Sequence, residues 1–227
     1  MMTDQTLTRS EEDYVKAIFY QTQDGSAAST LSLAASLSVA PASVTNMLQK
    51  LSEAQPQLVE YKKHHGVTLT KTGRMAALRI IRRHRLIETF LYQVMGYDWD
   101  QVHAEADVLE HVISPYFEEQ LAVILAEPLL DPHGEPIPSR EGDMRVDDGA
   151  LRLSELAVGQ TAVISRVMSA DQSLLAYIRE LGIQPGALVQ LVSRNPVDGT
   201  LLISLLPHDL RHAFGERMAA AIWVTPD

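Results

Sequence analysis

Between His84 and His111 the chain carries two short ladders of metal-binding residue types, His84-x3-Glu88 and His103-x3-Asp107-x2-Glu110-His111. At about 100° per helical residue, both members of the first ladder and all four of the second fall on one arc of roughly 100°. Imidazoles and carboxylates turned the same way make either a solvated face or a metal site. The sequence contains no cysteine, so thiolate zinc sites, disulfides and cysteine nucleophiles are excluded. Any metal here is held by oxygen and imidazole nitrogen. A metallohydrolase using His84, His103 and His111 is the enzyme reading, but no His-Glu-x2-His motif or loop-borne nucleophile accompanies the ladders. No enzyme activity is expected.

The elements that must position these residues follow from hydrophobic spacing. Ser10 to Gln21 reads as a helix with Tyr14, Val15, Ile18 and Phe19 inward. A short helix from Thr30, a turn at Ala40-Pro41-Ala42 and an amphipathic helix from Ser43 give a helix-turn-helix outline. Leu58–Tyr61 and Val67–Thr70 read as strands joined by Lys62-Lys63-His64-His65-Gly66, a basic wing. Helices follow over about Thr72–Met95, Trp99–Ile113 and Ser114–Leu125. Residues 127–150 carry four prolines and three glycines without periodicity and read as a linker. Short strands near Thr161, Leu188, Leu201 and Ala221, with a helix at Leu174–Leu181, predict a small β-barrel.

The fold class expected is therefore mainly α with a β C-terminal domain. Its parts are a winged helix-turn-helix domain (1–73), a helical domain (74–126), a linker (127–150) and a small barrel (151–227).

The net charge of −10 hides a division. Residues 1–92 hold 11 Lys/Arg against 8 Asp/Glu, and the remainder holds 8 against 21. Nine basic residues from Lys50 to Arg85, against Glu53 and Glu60 alone, form either a solvated helix face or the footprint of a phosphate-binding surface. No apolar run approaches the roughly 18 residues of a membrane span, and the start MMTDQTLTRSEEDYVK is too polar for a secretory signal. A cytoplasmic protein without a membrane partner is expected.

Six segments in order, Ser10-Glu-Glu-Asp13-Tyr14, Pro41-Ala-Ser-Val-Thr-Asn-Met, Leu69-Thr-Lys-Thr-Gly73, Arg83–Glu88, Val102–Ser114 and Gly134–Pro138, carry a resemblance. Over nearly its whole length the chain resembles the diphtheria-toxin-repressor and manganese-transport-regulator family of metal-dependent transcription factors. The C-terminal segment looks like the SH3-like (FeoA-like) domain of its longer members. The resemblance implies a helical metal-binding and dimerisation domain, a homodimer, and binding to double-stranded operator DNA. Repression of metal-uptake genes is the family expectation; a metal-blind winged-helix regulator responding to an organic ligand is the alternative.

The same resemblance implies two metal sites per subunit. Asp13, Asp107, Glu110 and His111 would form the primary site, whose hard ligands favour Mn(II) with Fe(II) as the alternative. His84, Glu88 and His103 would form the ancillary site, completed by Gln172 or Asp171 from the third domain. Lys16 stands where the manganese branch places a second N-terminal Glu, which favours ancillary and primary sites over that branch's closely bridged pair. On the DNA side, Ala42, Ser43 and Asn46 would meet base edges, and Lys50, Lys62, Lys63, Lys71 and Thr72 would hold phosphates.

Overall fold

The computed structural model describes residues 7–144, 149–169 and 171–226. Two compact units result. One comprises the chain up to His84 with Asp107–Pro115 and Pro138–Met144; the other comprises Arg85–Ala106, Tyr116–Ile137 and the chain beyond Met144.

In the first unit, helix α1 (Arg9–Gln21) starts one residue before the expected Ser10. Thr8 is the N-cap because Glu11, three residues on, closes a capping box: the Thr8 hydroxyl accepts from Glu11 N, and the Glu11 carboxylate accepts from Thr8 N at 2.8 Å. Helices α2 (Thr30–Ser36) and α3 (Pro41–Glu53) follow, with a bend of 108° between them, the angle of a helix-turn-helix. The turn expected at Ala40-Pro41-Ala42 lies further upstream. Pro41 takes the first helical position, where a missing N–H costs nothing. Strands β1 (Val59–Lys62) and β2 (Gly66–Leu69) form the wing, paired antiparallel with Lys62 opposite Gly66.

Gly73 is required where α4 (Lys71–Gln93) meets this wing, since a Cβ there would lie 1.9 Å from the Leu58 carbonyl oxygen. Val15, Ile18, Phe19, Leu33, Val44, Leu48, Val67, Leu78 and Ile81 close the core beneath these elements. Each contributes about 1.5–3 kcal/mol by burial, which fixes α1 against the start of α4.

Helix α5 is shorter than its periodicity implied, spanning Val102–Leu109. Val112 N and Ile113 N bond back to Leu109 O, so Glu110 and His111 sit in the closing turn beyond the helix. The single arc drawn through His103, Asp107, Glu110 and His111 therefore ends at Asp107. Helix α6 (Pro115–Ile124) follows as expected.

In the second unit, strands β3 (Leu151–Arg152), β4 (Thr161–Val167), β5 (Leu188–Arg194), β6 (Leu201–Leu206), β7 (Leu210–Phe214) and β8 (Ile222–Pro226) make one antiparallel sheet, ordered β3-β8-β4-β5-β6-β7. Bulges in β4 and β5 bend it over a core that includes Ile164, Val189, Ile203, Phe214 and Val224. Helices α7 (Gln172–Glu180) and α8 (Glu216–Ala221) complete it. Trp99, read from spacing as a helix start, is buried in this core instead.

Residues 127–144, read from composition as linker, are packed. In the second unit Arg85 donates to Pro136 O at 2.5 Å, Val167 N donates to His133 O at 2.9 Å, and a Cβ on Gly134 would strike Ser165 O at 2.0 Å. In the first, Arg82 donates to Pro138 O at 2.8 Å. Proline carbonyls cannot join a helix ladder here, and the arginines of α4 supply their donors.

Candidate metal centres

The first cluster lies within the first unit. Asp13 comes from α1, whereas Glu110 and His111 come from the turn that ends α5. The ligand-type atoms of these three residues all lie within 4.8 Å of one another. Glu110 is 1 % exposed. His111 Nδ1 is 2.6 Å from Glu12 Oε2, while Nε2 faces Asp13 Oδ1 at 3.0 Å and Glu110 Oε1 at 3.4 Å.

With Nδ1–H donated to Glu12, Nε2 is the nitrogen offered to an ion, the arrangement by which a carboxylate orients a ligand imidazole. Arg83 holds Glu12 from behind at 3.7 Å. Sequence reasoning passed over Glu12. The available signal was its place beside Asp13 in the first turn of α1, where a helix N-terminus favours carboxylates.

Asp107 and His84 meet Glu110 on its other side. His84 Nδ1 stands 2.5 Å from Glu110 Oε2 and 3.4 Å from Asp107 Oδ1. Lys16, one turn beyond Glu12 on α1, places its Nζ 2.8 Å and 2.9 Å from the two Glu110 oxygens and 3.0 Å from Asp107 Oδ1. Burial opposes the ammonium, but Glu110 and Asp107 outweigh it and hold the Lys16 pKa above its ordinary value.

The second cluster lies within the second unit and surrounds Glu88, which is 2 % exposed. His103 Nδ1 lies 3.0 Å from Glu88 Oε1, as the pairing of those two residues anticipated. His84 stands one turn before Glu88 on α4. Two unforeseen residues join from the packed strap: Asp131 and His133, whose ligand atoms lie with that of Glu88 within 4.8 Å of one another. Among the described residues, the buried His133 Nε2 and Asp131 Oδ2 have no hydrogen-bond partner; Arg85 Nε approaches the latter to 3.5 Å. Asp131 Oδ1 is engaged by His133 N at 2.8 Å and Glu135 N at 2.9 Å, which fixes the carboxylate in its own tight turn. Burial, then the nearby Glu88 and Glu135, push the Asp131 carboxyl well above the usual carboxylate range against the pull of Arg85. Burial likewise depresses the His133 imidazole.

Both donor sets fit a divalent ion of the Mn(II) or Fe(II) type. They consist of hard carboxylate oxygen and imidazole nitrogen, and the second leaves a buried carboxylate oxygen, Asp131 Oδ2, that a cation would satisfy. Of the residues expected to complete the ancillary site, Asp171 caps α7 by accepting from Ser173 N and Leu174 N and pairs with Arg217. The side chain of Gln172 lies outside the described part of the structure.

The expected DNA-facing residues share one property. Ala42, Ser43, Asn46, Lys50, Lys62, Lys63, Lys71 and Thr72 are all exposed. Ser43 does not cap α3; that position belongs to Ala40. Lys50 is paired with Glu11 at 3.1 Å.

Comparison with known proteins matches every part of this layout. Residues 6–67 fit the iron-dependent repressor N-terminal DNA-binding domain, 70–139 the iron-dependent repressor metal-binding and dimerisation domain, and 151–226 the FeoA domain. The iron-dependent repressor IdeR of Mycobacterium tuberculosis is 30% identical over 224 residues, covering 91% of this chain and 96% of the relative. The regulator MntR of Bacillus subtilis is 34% identical over 107 residues, 47% of this chain and 73% of its own length. A solved manganese-dependent transcriptional repressor in complex with manganese superimposes with a TM-score of 0.86 at 33% identity, covering 96% of this chain and 100% of that one. A winged helix with an exposed basic face, two oxygen- and imidazole-lined clusters and a FeoA domain in this order make the chain a member of the iron- and manganese-dependent repressor family of metal-dependent transcriptional regulators.

Proposed function

We propose that this repressor responds to Mn(II), that the first cluster is its regulatory centre, and that Asp13, Glu110 and His111 are the ligands there. The carrying observation is the origin of the ligands. Asp13 belongs to the first helix of the DNA-binding domain, and its partners follow about 95 residues later, at the end of α5. A bound divalent ion supplies the positive charge that lets two carboxylates converge on one imidazole nitrogen. Asp13 then fastens α1 to the end of α5, Glu12 keeps His111 Nε2 turned inward, and the winged helix keeps one orientation in the dimer.

In that orientation two recognition helices reach successive major grooves of a palindromic operator, about 34 Å or a multiple apart. Because metal favours the DNA-competent form, DNA tightens metal binding by the same factor. Asn46 reads adenine through a bidentate contact, and Lys62, Lys63 and Lys71 hold phosphates. The exposed Tyr116, Val123 and Ile124 on α6 support a homodimer, since such a helix face gains by burial against its copy.

The second centre, in this reading, is built on Glu88, His103, Asp131 and His133. It holds the proline-rich strap to α4 and has a supporting role, with Fe(II) as the competing occupant of both centres.

The test uses operator duplexes selected from random sequence by the Mn(II)-loaded wild type. Asp13→Ala is expected to lose Mn(II)-stimulated retardation of these duplexes by at least about 100-fold while its melting curve stays unchanged. Mn(II)-dependent retardation equal to wild type, or a wild type that selects no sequence, defeats the reading.

A further inference from the structure

Lys16 brings to the first centre an ammonium that the metal reading leaves unused. The apolar spacing of α1 turns it the same way as Glu12 and Asp13, four and three residues earlier. Its ammonium lies 2.8–3.0 Å from both oxygens of Glu110 and from Asp107, and 3.2 Å from His84 Nδ1. The same three residues, His84, Asp107 and Glu110, bring their ligand atoms within 4.8 Å of one another and so form a second ion-sized set beside Asp13, Glu110 and His111. Glu110 belongs to both. The Lys16 side chain is 13% exposed, and Asp107 and Glu110 both pair with it.

Resting on the reading that the first centre binds metal, we propose that the Lys16 ammonium is a built-in cation in the place bounded by His84, Asp107 and Glu110. The centre then takes one divalent ion although its donors could serve two. The charges agree. Glu12, Asp13, Asp107 and Glu110 bring four negative charges, and one dication with one ammonium leaves a single negative charge among them. A second dication would lie within a few ångströms of the ammonium, where their repulsion excludes it as long as Lys16 is present. Lys16 thereby sets the metal stoichiometry and keeps Glu110 oriented before any metal arrives.

The test loads full-length wild type, Lys16→Arg and Lys16→Met with excess Mn(II), removes unbound ion, and measures manganese per protomer together with the low-temperature electron paramagnetic resonance spectrum. Wild type and Lys16→Arg are expected to give magnetically isolated Mn(II). Lys16→Met is expected to gain one further Mn(II) per protomer and an exchange-coupled pair signal, since Glu110 would bridge two ions at the about 3.5–4 Å of two-metal sites. A coupled pair in the wild type, or a folded Lys16→Met with wild-type stoichiometry, overturns the proposal. If Lys16→Met does not fold, the wild-type spectrum decides alone: isolated ions support the resident cation and a coupled pair refutes it. Asp13→Ala in the same series separates the two levels of the argument. Loss of one Mn(II) upholds the first centre, whereas no loss removes that centre and this inference with it.

Discussion

The two clusters are made of the same residue types yet solve the metal-free state in opposite ways. Around Glu110 every charge has an answer: Lys16 lies against both carboxylate oxygens, His84 on the same group, and Glu12 on His111. Around Glu88 the answers are incomplete. Among the described residues, Asp131 Oδ2 and His133 Nε2 are buried without a hydrogen bond, and the Asp131 carboxyl is driven toward its protonated form. Buried polar groups left unpaired are costly, so a centre of the second kind gains folding stability from its ion, whereas a centre of the first kind is already satisfied. That difference fits a division of labour. In the reading proposed above, the satisfied centre is the switch, able to be empty in a folded protein, and the unsatisfied one is the brace.

The sharpest way to break this comparison is to remove one charge from each centre in the metal-free protein. Glu110→Gln strands the Lys16 ammonium in a site with little water, and urea denaturation should show a loss of about 3 kcal/mol or more. Asp131→Asn removes an acid that the fold already disfavours in ionised form, and its effect should be below about 1 kcal/mol. Equal losses would erase the distinction.

A smaller effect sharpens the role of Glu12. Glu12→Gln keeps the shape but weakens the hold on His111 Nδ1, and competition with a fluorescent chelator should show Mn(II) affinity at the first centre lower by about 10–100-fold with an unchanged melting temperature. Unaltered affinity would leave Glu12 a surface partner of Arg83 only.

The smallest expected effect is a slope with pH. Asp131 has a raised pKa, so its contribution to the metal-free fold is fully present below the ordinary carboxylate range and is lost as pH rises through the raised folded value. Metal binding needs the carboxylate. Mn(II) affinity at the second centre should therefore rise by up to about tenfold per pH unit until Asp131 ionises, with proton release seen by calorimetry in two buffers. His133, held neutral by burial, adds no further slope of the same sign near neutrality. A pH-independent affinity, or the same slope in Asp131→Asn, would remove Asp131 from the centre.

Much of this molecule is written locally. Apolar spacing located α1, α3 and α4, and the alternation at Val59–Lys62 and Gly66–Leu69 located the wing, because each depends on which residues of one segment face the core. The residue types and spacing at Glu88, Glu110 and His111 pointed to a metal site or a solvated face, the resemblance added Asp13, and the absence of cysteine limited any ligand set to oxygen and imidazole. Local reading erred where another part of the chain decided the outcome. Trp99 looks like a helix start, but its indole is drawn into the core of the barrel domain. Asp131 and His133 sit in a stretch without periodicity and were read as linker; their burial depends on Arg85 and on β4, neither of which the local pattern reveals.

What the sequence determined by itself is the order of domains, the oxygen and imidazole character of any ligand set, and the helices α1, α4 and α5 that carry or lead to several of the candidate ligands, since these follow from composition and period. What the tertiary structure decided is the grouping. Four contacts between separate elements, Asp13 with His111, Lys16 with Glu110, His103 with Glu88 and His133 with Glu88, assign four of the six ladder residues their partners. Helical period fixes only the direction in which a side chain leaves its own helix; which group it meets there is set by packing between elements.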